Sequence, residues 1–241
     1  IIEVHLNKSL KPGESIELEI NYTVKLPDSK FTGYGFDNDN FYLKNWLIVF
    51  SNISNSNWYS QSNLNLDDQS LKKSGYKLKI SFDKDYYLFS NLIKNNTEVI
   101  NNLKSVSLSG SGIKDVRINL LIEENYKRFQ NNKNEIETDI FKSSSLEDAE
   151  IKVDRVNNFV KDYFNDHSNI KLLVPKIDYD SNPFYGLNQL PSFISPFSDE
   201  FLEEIIFLKS FVINYLNHII NLNKRESVSY THLTLPTKRI V

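Results

Sequence analysis

The sequence predicts an α+β protein, with an antiparallel β-sandwich or saddle over residues 1–142 and a mostly helical region beginning at 143. Three observations carry this. Several short runs before residue 142 alternate apolar and polar residues with period two. At Lys142-Ser-Ser-Ser145 the apolar spacing changes to that of a helix. A last segment, 199–222, is apolar on nearly every side.

In chain order, Ile16, Leu18, Ile20 and Tyr22 alternate with Glu17, Glu19 and Asn21, which predicts a half-buried strand between turns at Pro12-Gly13 and Pro27-Asp28. Tyr76, Leu78, Ile80 and Phe82 repeat the pattern. Val106 and Leu108 form the next strand, with Gly110-Ser-Gly112 read as its turn, and Val116, Ile118, Leu120 and Ile122 form another. A hairpin pairs Tyr126–Phe129 with Ile136–Ile140 across 131–134. The Asn-rich stretches 52–65 and 95–102 are read as loops.

Beyond residue 142, Ser144 with Glu147 fits a capping box for a helix over 146–166, whose inner face is Val153, Val156, Val160 and Phe164. Lys171–Val174 is a short strand, and a turn-rich loop holds Asn182-Pro183. The final helix has Ser198 as its cap and Asp199, Glu200, Glu203 and Glu204 at its positive end.

Composition narrows the function. Of 241 residues, 40% are hydrophobic and 24% charged, which supports a packed core. The net charge of −3 comes without any basic block, which excludes a phosphate-tracking surface and hence nucleic acid as a partner. Charged and polar residues interrupt every apolar run before it reaches the ~18 residues of a transmembrane segment. With no Cys, disulfide frameworks and thiolate metal sites are excluded. The chain opens on Ile1 and holds no Met, so it is read as a mature form or a fragment. Val228-Ser-Tyr-Thr-His-Leu-Thr-Leu-Pro-Thr237 resembles a translated transposase-type sequencing adapter. Residues 227–241 are therefore set aside as a non-native tail, with natural sequence ending near Glu226.

The order of segments resembles one family. Lys11-Pro-Gly-Glu-Ser-Ile16 before an alternating strand, Tyr42-Leu-Lys-Asn-Trp46, Ser62-Asn-Leu-Asn-Leu-Asp-Asp68 and Asn182-Pro-Phe-Tyr-Gly-Leu-Asn-Gln-Leu-Pro191 are similar to segments of aminopeptidase N-like zinc peptidases, in a bacterial branch. The resemblance covers about 1–226. It implies an N-terminal β-domain followed by the start of a thermolysin-like catalytic domain. It also implies export to the periplasm or cell surface, and peptide or protein N-termini as partners. In that family a Gly-x-Met-Glu-Asn strand holds the substrate ammonium, and a His-Glu-x-x-His helix with a downstream Glu binds zinc.

The motif residues depart from that pattern. Tyr185, Gly186, Asn188 and Gln189 stand where the substrate strand is expected, and Asn188 replaces the anchoring carboxylate with an amide that cannot ion-pair with an ammonium. The helix 199–222 holds one histidine, His218, with none four residues away; the others are His5, His167 and His232. No zinc, and no other cofactor, is therefore assigned to this chain. Asp37-Asn-Asp39 reads as a solvated turn rather than a calcium loop, and Trp46 and Trp58 read as β-domain core. Three functions remain. The preferred one is a non-catalytic relative that keeps the fold for peptide or partner binding. The second is the scaffold of an active zinc aminopeptidase whose motif lies elsewhere. The third is a β-sandwich adhesion or carbohydrate-binding module, which requires a row of exposed aromatics on one sheet face.

Overall fold

The computed structural model describes residues 2–54, 57–59, 71–131, 134–165, 168–184 and 197–219. It has mixed strands and helices with largely antiparallel sheets, an α+β chain. The central sheet is ordered β1 (Gly35–Asp37), β2 (Asn40–Leu43), β9 (Ile118–Leu121) and β6 (Tyr87–Ser90). A second sheet runs β5 (Ser74–Asp83), β8 (Leu103–Ile113), β7 (Ile93–Ile100). In a third, β10 (Lys127–Asn131) pairs antiparallel with β11 (Asn134–Thr138), which pairs parallel with β12 (Lys171–Val174). A small hairpin joins β3 (Asn52–Ser54) and β4 (Asn57–Tyr59). The helices are α1 (Ser29–Thr32), α2 (Leu146–Phe164), α3 (Lys176–Asp180) and α4 (Asp199–Ile219).

Both faces of the central sheet are covered, so side chains on either phase of its strands can be buried. Its register sets Phe41, Leu120 and Leu88 on one face. There Leu88 and Leu120 meet Phe82, Val106 and Leu108 of the second sheet, with Trp46 packed against the same core. Tyr42, Asn119 and Phe89 occupy the opposite face. That side packs on Tyr126 and on Leu173 of β12. The largest core joins Ile136, Leu172 and Val174 of the third sheet to Val153, Val156 and Val160 of α2, Tyr179 of α3, and Phe207, Phe211 and Tyr215 of α4. Each large apolar side chain buried in that way contributes about 1.5–3 kcal/mol.

Most expected elements form. β5, β8, the β10–β11 hairpin (with Phe129 opposite Ile136), α2, β12 and α4 lie where the patterns place them. Ser198 caps α4 through its carbonyl to Leu202 N and its hydroxyl to Phe201 N. Asn38 and Asp39, both at positive φ, make the two-residue turn between β1 and β2.

Several expectations are corrected. Residues 16–24 form no helix, turn or strand and lie outside every sheet, and Ile16, Leu18, Ile20, Tyr22 and Val24 are all exposed. Gly110-Ser-Gly112 is no turn: it lies inside β8, opposite a register shift at Ser74/Tyr76 of β5. A Cβ on Gly110 would come 2.6 Å from Leu92 Cδ2, so that side-chain end would have to shift to admit one. Residues 95–100 belong to β7, and 52–54 and 57–59 to the β3–β4 hairpin, rather than to loops. The cap of α2 is Ser145, one residue later than expected, accepting from Asp148 N while its hydroxyl donates to Asp148 Oδ2. Ser144 instead donates to Glu203 of α4. Trp46 is half-buried and donates its indole N–H to Val116 O, whereas Trp58 is 68% exposed.

Candidate functional site

Four segments converge on one buried ionic cluster. Asn91 accepts from Arg117 N and donates to Asp115 O, and Ser90 donates to Arg117 O, so the β6–β7 turn clamps the chain just before β9. The polar phase of that strand turns inward and sends the Arg117 guanidinium towards the helices. Its Nη1 donates to Asp178 Oδ2 at 2.6 Å and its Nη2 to Asp178 Oδ1 at 3.1 Å, a two-pronged pair. Arg117 Nη1 also donates to Asn214 Oδ1 at 2.6 Å, and Asn214 Nδ2 donates to Asp178 Oδ2 and to Ser210 O. The cluster thus ties the β-layers to α3 and α4, with the two charged side chains only 11% and 13% exposed.

This geometry sets the electrostatics. Burial pushes the Asp178 carboxyl up, but the Arg117 charge, with hydrogen bonds from Arg117 and Asn214, overcomes this and leaves it below the usual carboxylate range. Two neighbouring carboxyls end on the other side. Burial holds Asp115 above its ordinary value despite Arg117 and the Asn45 N–H. Asp139 is raised by burial despite the Lys176 N–H at 2.7 Å. Tyr126, buried and accepting from Asn119 Nδ2 at 2.7 Å, is pushed well above its usual range, chiefly by desolvation.

A cleft beside the cluster is lined by Tyr34, Tyr42, Lys44, Arg117, Asn119 and Asp178, among others. Its volume of ≈ 10 Å³ leaves room for a single water at most, so a small-molecule substrate does not fit. The arrangement is a charge-balanced cross-link. Sequence reading missed it because Arg117 and Asn119 fall on the polar phase of an alternating strand, the phase assigned to solvent. The signal present in the sequence was that a helix-rich region comes next and must cover that second face.

A second network runs across the third sheet, from β10 through the central β11 to β12. Glu137, 1% exposed, accepts from Arg128 Nε and Nη2 and ion-pairs with Lys171 at 3.5 Å. Arg128 is raised above its usual value, first by its hydrogen bond to Glu137.

The candidate substrate residues Tyr185, Gly186, Asn188 and Gln189, together with His167, His232 and the segment 227–241, lie outside the described residues. His218 is half-buried near the end of α4. Among the described residues, no three His, Cys, Asp or Glu side chains are grouped to hold a metal ion. The residue one turn before His218 is Asn214, and its amide is committed to the ion pair. A divalent cation at that point would face the Arg117 guanidinium 2.6 Å from Asn214 Oδ1, so the residues present on α4 do not fit zinc. Among the described residues, no helix is long and apolar enough to cross a membrane. Among the described residues the three most exposed aromatics, Phe50, Tyr163 and Trp58, lie on the chain before β3, on α2 and on β4. Comparison with protein-family models and with curated proteins gives no match to this chain.

Proposed function

We propose that the chain belongs to a non-catalytic relative of the aminopeptidase N-like peptidases, keeping the β-lobe and the helical region after it in order to bind peptides or the N-terminus of a protein partner. The observation that supports this is Asn214. It stands one helical turn before His218, where a metal-binding helix needs a second imidazole, and it is held by Arg117 and Asp178. An ion pair fixed across the β-layers, α3 and α4 gives that region rigidity without a metal. The reading leaves the peptide contact to Tyr185, Gly186, Asn188 and Gln189, where an amide at 188 in place of a carboxylate lowers the premium on a free ammonium.

The test is calorimetric titration of the chain with short peptides bearing a free or an acetylated N-terminus, with chromatography of the same samples. The reading expects binding without cleavage, and affinities for the two peptide forms within about tenfold of each other. Cleavage, or the absence of heat with either set, would overturn it.

A further inference from the structure

The segment 16–26 presents a strand pattern with no strand paired to it among the described residues. Ile16, Leu18, Ile20, Tyr22 and Val24 are 36–50% exposed, and the intervening Glu17, Glu19, Asn21, Thr23 and Lys25 are exposed as well. Among the described residues, nothing pairs with the backbone of 15–26, and no ion pair involves Glu17, Glu19 or Lys25. The segment is nevertheless held at both ends. Glu14 N donates to Lys11 O while Lys11 N donates to Glu14 Oε2, closing the turn at Pro12-Gly13. At the other end Phe36 N donates to Pro27 O, which anchors the segment to β1. An alternating segment whose backbone donors and acceptors have no partner among the described residues is a template for strand addition.

The sequence of the segment specifies its own complement. In an antiparallel pair of two copies centred on Asn21, Ile16 faces Leu26, Leu18 faces Val24 and Ile20 faces Tyr22, each contact occurring twice by symmetry. On the other face Glu17 lies opposite Lys25, again twice, and Glu19 lies opposite Thr23. Neighbouring registers do worse. Centring on Ile20 leaves Lys25 opposite Ser15 and both glutamates without a cation. Centring on Tyr22 keeps a charged contact, Glu19 opposite Lys25, but drops Ile16 from the apolar ladder and places Pro27, which has no N–H, at a pairing position. A one-residue slip sets every apolar side chain against a polar one.

We infer that this face is an interface between two copies of the chain, formed by antiparallel pairing of residues 16–26 about Asn21 with two reciprocal Glu17–Lys25 contacts. The pair extends no further than Pro27, so the area is small and the dimer is a weak one.

Sedimentation velocity of the full chain over a concentration series tests this, with circular dichroism and thermal unfolding to show that each variant is folded. Glu17→Lys and Lys25→Glu each weaken self-association about five- to tenfold by setting like charges opposite one another, and the double variant E17K/K25E restores it. Glu19→Lys, facing Thr23, changes it less than either. A chain that stays monomeric throughout the series overturns the proposal. So does a double variant no better than the singles, or a loss in Glu19→Lys larger than in Glu17→Lys.

Discussion

Arg117 and Asp178 form the one two-pronged ion pair that spans the β-layers and the helical region among the described residues, with N–O distances of 2.6 and 3.1 Å. Arg117 precedes β9 and Asp178 lies in α3, sixty-one positions away. Asn214 of α4 completes the junction by bonding to both.

Breaking one side of this junction leaves a buried charge without its counter-ion. Asp178→Asn is expected to cost about 3–5 kcal/mol of unfolding free energy, measured by urea titration at neutral pH. Arg117→Met combined with Asp178→Leu is expected to cost much less than either change alone, because an apolar pair leaves no orphaned charge. Additive losses in the double variant would show that the two residues act independently.

The pH dependence has a definite sign at each carboxyl. Asp178 is held below its unfolded value, so its contribution is present above the unfolded pKa and is lost as pH falls through the depressed folded value. Asp115 and Asp139 are held above theirs, so their contribution is complete below the unfolded pKa and is lost as pH rises through the raised folded values. Urea midpoints taken below about pH 4 should therefore fall less in Asp178→Asn than in the wild type. Asp115→Asn should flatten the decline seen on the neutral side of about pH 4. A wild-type and Asp178→Asn difference that stays constant with pH would contradict the assignment.

Much of the fold was legible because periodicity reports burial directly. The alternation 76–82 became β5, Val153, Val156 and Val160 became the inner face of α2 while Phe164 at its end is exposed, and the expected hairpin pairs β10 with β11, Phe129 opposite Ile136. Periodicity also misled where one rule served two situations. The run 16–24 alternates as cleanly as 76–82, yet among the described residues only the second pairs with a neighbouring strand. Gly110 and Gly112 suggest a turn by composition, but both lie within β8, where Gly110 pairs with Tyr76 of β5. The junction at Arg117 escaped notice because a polar residue on an alternating strand reads as solvent-facing, and only the layer covering the second sheet face makes it buried. Lys176–Asp180 is too short for a helical period to show, so α3 and its Asp178 carried no signal.

One group in the helical core lacks compensation. The Ser210 hydroxyl of α4 is wholly buried and has no hydrogen-bond partner among the described residues. Ser210→Ala removes that desolvation cost with little change of volume and improves helix propensity. It is expected to raise stability by about 1 kcal/mol, read as a higher melting temperature. A drop in melting temperature would mean that the hydroxyl has a partner.

The decisive experiment measures the zinc content of the purified chain beside its Asn214→His variant. Both are loaded with zinc, dialysed against metal-free buffer and assayed by atomic absorption, with aminoacyl-anilide hydrolysis followed on the same samples. With the Arg117 guanidinium fixed beside position 214, neither protein should keep zinc above the buffer blank, and neither should turn over substrate. One zinc per chain in the wild type, with turnover that a chelator abolishes, would contradict the non-catalytic reading.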